Sequence, residues 1–378
     1  MQMTNRDGYS HDRIYWVDCV RVTAIISITL NHALSRSFAT EVNTLAEYEA
    51  IGFSASLIKA FLYVFSRIGV PLFLMITGAL LLPRDYEDRA ILKRFIKHNW
   101  FSLFRTTEIW LTIMFIFLSI GTSTMRGLIR ANGVVYAIAN WIETSLFINQ
   151  TTMNSMWYMS MILLLYLMLP IVSVALKRIG NEYLFWLCMV VMVLSMVVPN
   201  VNTFLSASGI DYGIETSLSY TDLFSYYMIY VLLGYWISSG CLSKLNAAAV
   251  YGAFAASFIL TALFQFFIYS SPIDYHVRYA DVGIVISSAL LFEMYRRNVS
   301  EKSGHRSIVQ YISKISFGIY FVHICIMTVL MVLLENVEIN PFINLIALET
   351  ISFAGSVLFI YTLSKITVFK KYLFLIKE

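Results

Sequence analysis

Apolar runs of roughly 20 residues, each long enough to cross a bilayer as a helix, recur along almost the whole of this chain. Ten are centred near residues 14–34, 57–82, 100–120, 157–176, 183–199, 223–239, 246–270, 280–295, 310–334 and 342–364. A chain built this way is expected to be an all-α, polytopic membrane protein. Only 13% of its residues are charged, against about 25% in a soluble domain, and its mean hydropathy is +0.71. At 378 residues a soluble chain would divide into two or three domains. Here the runs predict one transmembrane domain over 14–364, after a segment 1–13 and before a basic tail 365–378. The first run is longer than a signal-peptide core and holds Asp18 and Arg21, so it is expected to stay as the first span.

Cytoplasmic loops of membrane proteins carry an excess of Lys and Arg. With the N-terminus inside, the inner segments collect eighteen of the 27 basic residues and the outer loops only four: Arg36, Arg126, Arg130 and Arg278. The other five lie within or at the ends of spans. The imbalance predicts ten spans with both termini cytoplasmic. The longest outer loop, about 121–156, has an amphipathic stretch from Val134 to Ile148 suited to the membrane surface. A net charge of +4 spread in this way points to no nucleic-acid partner. Cys19, Cys188, Cys241 and Cys325 fall in or beside apolar runs, with spacings that fit neither a zinc site nor a disulfide framework. They read as apolar filler, and no metal is expected.

Ionisable groups inside a span are costly and mark functional sites by default. In the first span Asp18, Arg21 and His32 form one stripe, with Asn31 beside the histidine. Arg21 and His32 are eleven positions apart, three helical turns, or about 16 Å along the axis. Asp18 and Arg21, three apart, can pair and so lower the cost of burying either. Charge counting puts Arg21 toward the cytoplasm and His32 toward the outer half, where an imidazole suits a general base or nucleophile. A polar seam that merely joins helices is the alternative.

Further polar groups lie inside spans: Arg67, Glu108, His323 and Glu349, at depths compatible with one buried chamber. Structural ion pairs, such as Arg67 with Glu349 or Glu108, are the alternative. Tyr320 and His323 are three apart and share a face. The inner loop 83–99 gathers Arg84, Arg89, Lys93, Arg94 and Lys97, a set suited to phosphates and equally to ordinary positive-inside charge. The aromatic content, 15%, fits interfacial belts, with Trp141 and Tyr220 as possible sugar platforms.

Tyr15-Trp-Val-Asp18-Cys-Val-Arg21, then ten residues, then His32 resembles the first span of the acyltransferase-3 family of membrane acyltransferases. Pro71-Leu-Phe-Leu-Met-Ile-Thr77-Gly78 resembles the family's second span, with Thr77 where a serine usually precedes the glycine. Arg94-Phe-Ile-Lys97 is similar to the basic pair that follows, with lysine at the second place and without the proline often found next. Met156-Trp157-Tyr158 with Leu169-Pro170, and Ser316-Phe-Gly-Ile-Tyr320-Phe-Val-His323, resemble later family segments. Together they run in family order from about residue 13 to 325.

The resemblance implies transfer of an acyl group, usually acetyl from acetyl-CoA, to a hydroxyl of a glycan across the membrane. It favours coenzyme binding for Arg94 and Lys97, with Arg89 and Lys93 beside them. His32 is then the catalytic group, as base or as acyl carrier, with Arg21 and Asp18 behind it. Asn31, Thr77 and Arg67 are candidate donors to an oxyanion. Glu108, Trp157, Tyr320, His323 and Glu349 are candidate supporting residues. The expected acceptor is a cell-surface polysaccharide, such as the O-antigen of lipopolysaccharide, or its lipid-linked precursor at a bacterial inner membrane. Of other classes, a glycan or carrier-lipid transporter or flippase also fits buried charges, but the chain has six prolines and no half-to-half repeat. A non-catalytic assembly or sensor protein leaves the His32 stripe unexplained.

Overall fold

A computed structural model describes residues 14–38, 44–121, 123–146, 156–210, 226–271, 273, 275–299, 306–335 and 337–376. Among them there are helices and turns but no strands. The helices are α1 (Tyr15–Ser37), α2 (Thr44–Ile51), α3 (Phe53–Arg67), α4 (Gly69–Leu81), α5 (Arg89–Phe95), α6 (Phe101–Gly121), α7 (Ser123–Ser145) and α8 (Trp157–Arg178). They continue with α9 (Asn181–Met192), α10 (Val198–Ala207), α11 (Tyr226–Ser238), α12 (Ala247–Tyr269), α13 (Val282–Asn298), α14 (Arg306–Leu333), α15 (Pro341–Leu363) and α16 (Thr367–Tyr372). The protein is an all-α polytopic membrane protein. Seven stretches among the described residues are long and apolar enough to cross a bilayer: α1, α3–α4, Arg89–Ser119, α8, α12, Ser307–Leu333 and α15. The other three expected spans coincide with α9 and its continuation, α11 and α13, which are shorter or interrupted.

The interruptions have local causes. The second expected span breaks at Ile68 into α3 and α4. Pro71 lacks an N–H and crowds the preceding turn, so the ladder cannot pass through it. One-turn π-helices occur at Ile96–Trp100, within the stretch expected as the inner loop 83–99 and the start of the next span, and at Val193–Val197, within the span expected over 183–199. Helix α7 is split at Gly133, whose φ of 81° favours glycine. Its second part covers the expected amphipathic stretch, with Ile138 and Ile142 exposed and Asn140 and Thr144 buried. Starts are marked by side-chain caps: Asp88 accepts from Ala90 N at 2.7 Å, Asn246 from Ala248 N at 2.9 Å, and Asn340 from Phe342 N at 3.0 Å.

The chain forms two compact units, Met1–Arg84 with Val172–Ser313, and Asp85–Ile171 with Lys314–Glu378. In the first, α1 packs on α3, α4 and α13, and α11 on α4 and α13, while α12 lies on α3 and α13. Helices α4 and α11 meet at two glycines facing opposite ways. A Cβ on Gly78 would sit 1.8 Å from the Val231 carbonyl oxygen, and one on Gly234 would sit 2.0 Å from that of Met75. Lipid tails are as apolar as leucine, so helices in a membrane associate through close packing and small residues set the approach. In the second unit α6 anchors the end of the chain. Trp110 Nε1 donates to the Leu373 carbonyl at 2.8 Å, and Thr106 Oγ1 to that of Tyr372 at 2.9 Å. The Trp110 ring stacks on Phe321 at 5.0 Å, so the basic tail is folded against the helices up to Ile376.

Of the four cysteines, all free, Cys188 is buried, Cys19 and Cys325 are partly buried, and Cys241 is exposed. Cys241 therefore departs from the expected role of apolar filler, because α11 ends before it and the chain turns outward.

The glycine crossing yields a stability test. Gly78→Ala or Gly234→Ala, each forcing a methyl into backbone, should cost about 1–3 kcal/mol as overpacking does. Gly252→Ala, in α12 with open space around it, should be neutral or gain up to ~1 kcal/mol of helix propensity. Thermal melts of the three purified variants decide it; equal melting points would refute the close crossing.

Candidate functional site

The α1 stripe forms with alternating burial. Asp18, Ile25 and Ile28 are buried, whereas Arg21 and His32 are half-buried. Arg21 Nη1 lies 3.6 Å from Asp18 Oδ1. Ser313, from the start of α14, completes the group: its hydroxyl donates to Asp18 Oδ1 at 2.6 Å and accepts from Arg21 Nη1 at 3.0 Å. A carboxylate 1% exposed thus has a charged partner and a neutral donor. That satisfaction makes its burial tolerable. Sequence reading missed Ser313, although it lies three residues before the Ser316 of a family-like segment.

His32 lies three turns further along α1. Its backbone oxygen accepts from Ser35 Oγ at 3.0 Å and from Arg36 Nη1 at 3.3 Å. At the same level the α3–α4 break is tied to α1. Ser27 Oγ donates to the carbonyls of Phe65, at 2.9 Å, and Ser66, at 3.0 Å. The one Ser27 proton is shared between them, and the Phe65 oxygen also accepts from Ile68 N at 3.1 Å, so the helix end is held by its own chain and by α1. The Ser66 hydroxyl shares its one proton between Tyr63 O at 2.6 Å and Asn31 Oδ1 at 3.3 Å. The two bonds place Asn31 and the end of α3 side by side.

Arg67 is the last residue of α3. Its guanidinium donates to the Tyr63 hydroxyl and lies 4.6 Å from the Tyr63 ring centre and 5.3 Å from that of Tyr279. Each cation–π contact contributes about 0.5–2 kcal/mol. Within its own unit Arg67 is met by this tyrosine clamp, whereas Glu108 and Glu349 belong to the second unit. Tyr279 is itself fixed, since its carbonyl accepts from Tyr230 OH at 2.5 Å. Nearby, Tyr275 OH donates to Asp281 Oδ1 at 2.6 Å; burial and that carboxylate push the phenol well above its ordinary pKa. Thr77, on α4, is buried and donates to Phe73 O at 3.0 Å. The single hydroxyl proton expected to serve an oxyanion is engaged within its own helix.

The remaining expected residues belong to the second unit. Arg89, Lys93 and Arg94 project from α5, and Lys97 from the π-turn after it; all four are exposed. Phe95 is fully buried, 5.1 Å from the Tyr86 ring and 6.0 Å from Tyr166. One anchor thus holds a short helix whose cations face outward. Trp100, ending the π-turn, donates to Leu163 O at 3.0 Å. Such π-turns recur at functional sites, and no periodicity in the sequence announces this one.

In α14 Tyr320 and His323 are buried, with ring centres 6.3 Å apart. His323 Nδ1 is 2.7 Å from Ile319 O. A carbonyl only accepts, so Nδ1 carries the proton. Tyr158, next to Trp157 at the start of α8, approaches Tyr320 at 5.8 Å and joins the group. Trp157, Glu108 and Glu349 are half-buried, on α8, α6 and α15. The first unit therefore gathers Asp18, Arg21, Asn31, His32, Arg67 and Thr77 on α1, α3 and α4. The second gathers Trp157, Tyr320 and His323, apart from its exposed basic helix.

Among known proteins, the family model Acyl_transf_3, described as an acyltransferase domain, matches residues 14–365. No curated protein and no solved structure matches.

A mutant cycle tests the Asp18–Ser313–Arg21 group. Arg21→Met leaves the Asp18 carboxylate short of its guanidinium and should cost about 2–3 kcal/mol. That is below the ~3–5 kcal/mol for breaking a fully buried pair, because the Arg21 side chain keeps 26% exposure. Adding Asp18→Asn should restore much of the loss. Strictly additive melting shifts would show that the pair is not coupled.

Proposed function

This chain belongs to the acyltransferase-3 family, and we propose on that premise that it is an O-acetyltransferase of an envelope glycan. It is a membrane acyltransferase. In this reading it moves acetyl from cytoplasmic acetyl-CoA to a hydroxyl of a cell-surface polysaccharide or its lipid-linked precursor. Its setting is a bacterial inner membrane, crossed ten times with both termini inside.

The observation that carries the reading is the α1 stripe. Arg21 and Asp18 are locked to Ser313 at one end, and His32 sits three turns away beside the α3–α4 break. Catalysis of acyl transfer needs a base or nucleophile held in place and screened from bulk water, and a half-buried imidazole on a pinned helix supplies it. His32 takes the proton of the acceptor hydroxyl as its oxygen attacks the thioester carbonyl. The C–S bond breaks, the ester C–O bond forms, and the proton passes to the departing thiolate. Alternatively the imidazole takes the acetyl first and passes it on; both routes conserve atoms and charge.

Asn31, next to His32 in α1 and bonded to Ser66, is the candidate amide for the tetrahedral oxyanion. Exposed Arg89, Lys93, Arg94 and Lys97 fit the anionic nucleotide end of the donor, since arginine forks and lysine ammoniums both bind phosphate. The fixed tautomer of His323 and the neighbouring Tyr320, Tyr158 and Trp157 give the second unit a supporting polar-aromatic group.

His32→Ala should lower acetyl transfer at least ~10²–10⁴-fold, the usual contribution of a general base, while the protein still inserts. Arg94→Ala should raise KM for acetyl-CoA about tenfold or more, as expected from losing a charge-assisted bond, with kcat less changed. Purified protein with labelled acetyl-CoA and extracted envelope glycan measures both. Full activity in the His32 variant would remove the histidine from the mechanism, and no thioester turnover by the wild type would favour a transporter.

A further inference from the structure

Among the described residues, four cations within the first unit's helices have a carboxylate partner. Arg21 faces Asp18. Lys59, buried in α3, is paired with Glu47. Arg296 and Arg297 both bond the fully buried Glu293. Among the described residues of its own unit Arg67 has no carboxylate within ion-pair distance; its partners there are Tyr63 and Tyr279. Its Nε is shielded from solvent and has no hydrogen-bond acceptor. Arg36, one turn beyond His32, is a second cation without a carboxylate among the described residues. Its guanidinium reaches the His32 carbonyl.

A cation in a membrane helix is expensive, and ring faces supply only part of what an anion would. The two ring contacts leave Nε–H free to donate. A donor in this state calls for an anionic oxygen acceptor, as carboxylate and phosphate supply. Around it stand further aromatic groups. His276 lies 5.8 Å from the Tyr63 ring and 6.2 Å from Tyr269, and Tyr227 lies 6.5 Å from Tyr279.

We infer that Arg67, clamped by Tyr63 and Tyr279, binds an anionic group carried by the acceptor, a carboxylate or phosphate, and so positions its hydroxyl near His32. This rests on the acyl-transfer reading for the word acceptor, but not for the anion site itself. The missing counter-charge belongs to the ligand. The same break that places Arg67 at a helix end also joins it to α1, through Ser66 and Asn31. Broken membrane helices form binding sites in this manner because their freed polar groups must be satisfied where a cavity or ligand lies.

The test uses purified full-length protein without acetyl-CoA and reads ligand-induced thermal stabilisation. One probe pair is citronellyl diphosphate against citronellol; the other is methyl glucuronide against methyl glucoside. At least one anion should bind about tenfold or more tightly than its neutral twin. Arg67→Gln should abolish that preference, and Arg67→Lys should keep part of it. Preference for the diphosphate assigns the charge to a carrier lipid; preference for the glucuronide assigns it to an acidic sugar.

Without ligand, Arg67→Gln should melt at or above the wild-type temperature, because it removes a charge that no carboxylate balances. A drop of several degrees would make Arg67 a structural cation and overturn the inference. So would equal binding of anionic and neutral twins, or full preference in Arg67→Gln. Acetyl-CoA turnover by the wild type is scored separately. Charge-selective binding without turnover would sink the enzymatic reading and leave the anion site standing. Turnover without charge selectivity would do the reverse.

Discussion

A charge inside hydrocarbon must be met by the protein itself, since neither water nor lipid tails can meet it. In the first unit this constraint ties together segments far apart in the chain. Asp18 is held by a serine 295 positions away. Lys59 closes α3 onto Glu47 of α2. Glu293 holds two arginines, and Arg297 also reaches the carbonyls of Leu242 and Leu245. Each of these contacts costs burial energy that only its partner offsets, so the arrangement is demanding: losing one member strands the other.

The α3–α4 break shows the same constraint acting on backbone. Pro71 cannot donate to the Arg67 carbonyl, and at the break the Phe65 carbonyl takes the Ile68 N–H at 3.1 Å. Ser27 on α1 shares its one hydroxyl proton between the Phe65 and Ser66 carbonyls, and Gly69 lets the helices approach, since a Cβ there would come within 2.6 Å of the Ala24 oxygen. The result is a helix end inside the first unit, tied to α1, which carries Asp18, Arg21 and His32. The break turns what would be one more membrane helix into a scaffold for Arg67, Asn31 and His32.

Much of this was legible from residue order. The stripe of Asp18, Arg21 and His32 followed from the period of 3.6, and the Asp18–Arg21 contact from spacing alone. Tyr320 and His323 share a face as their spacing required. What spacing could not give was the identity of long-range neighbours. Ser313 is an unremarkable serine until α14 folds back to α1. Tyr279 sits in the loop before α13, whose sequence gives no sign that it will clamp an arginine. Thr77 reads as a free hydroxyl, yet its proton goes to Phe73. The π-turn after α5 leaves no signature, because one inserted residue per turn disturbs no pattern that hydropathy can register.

The sequence by itself determined that the chain is helical and membrane-embedded, and which of its side chains are costly there. Those properties depend on local composition and on a fixed helical period, and both can be read one segment at a time. Only the tertiary structure decided which costly groups find a counter-charge and which do not. That choice depends on distances between helices separated by tens to hundreds of residues. Glycine pairs such as Gly78 and Gly234 set those distances through backbone contact. Arg21 and Arg67 look alike in sequence, each an arginine within an apolar run. Packing gives the first its carboxylate and leaves the second between two tyrosines.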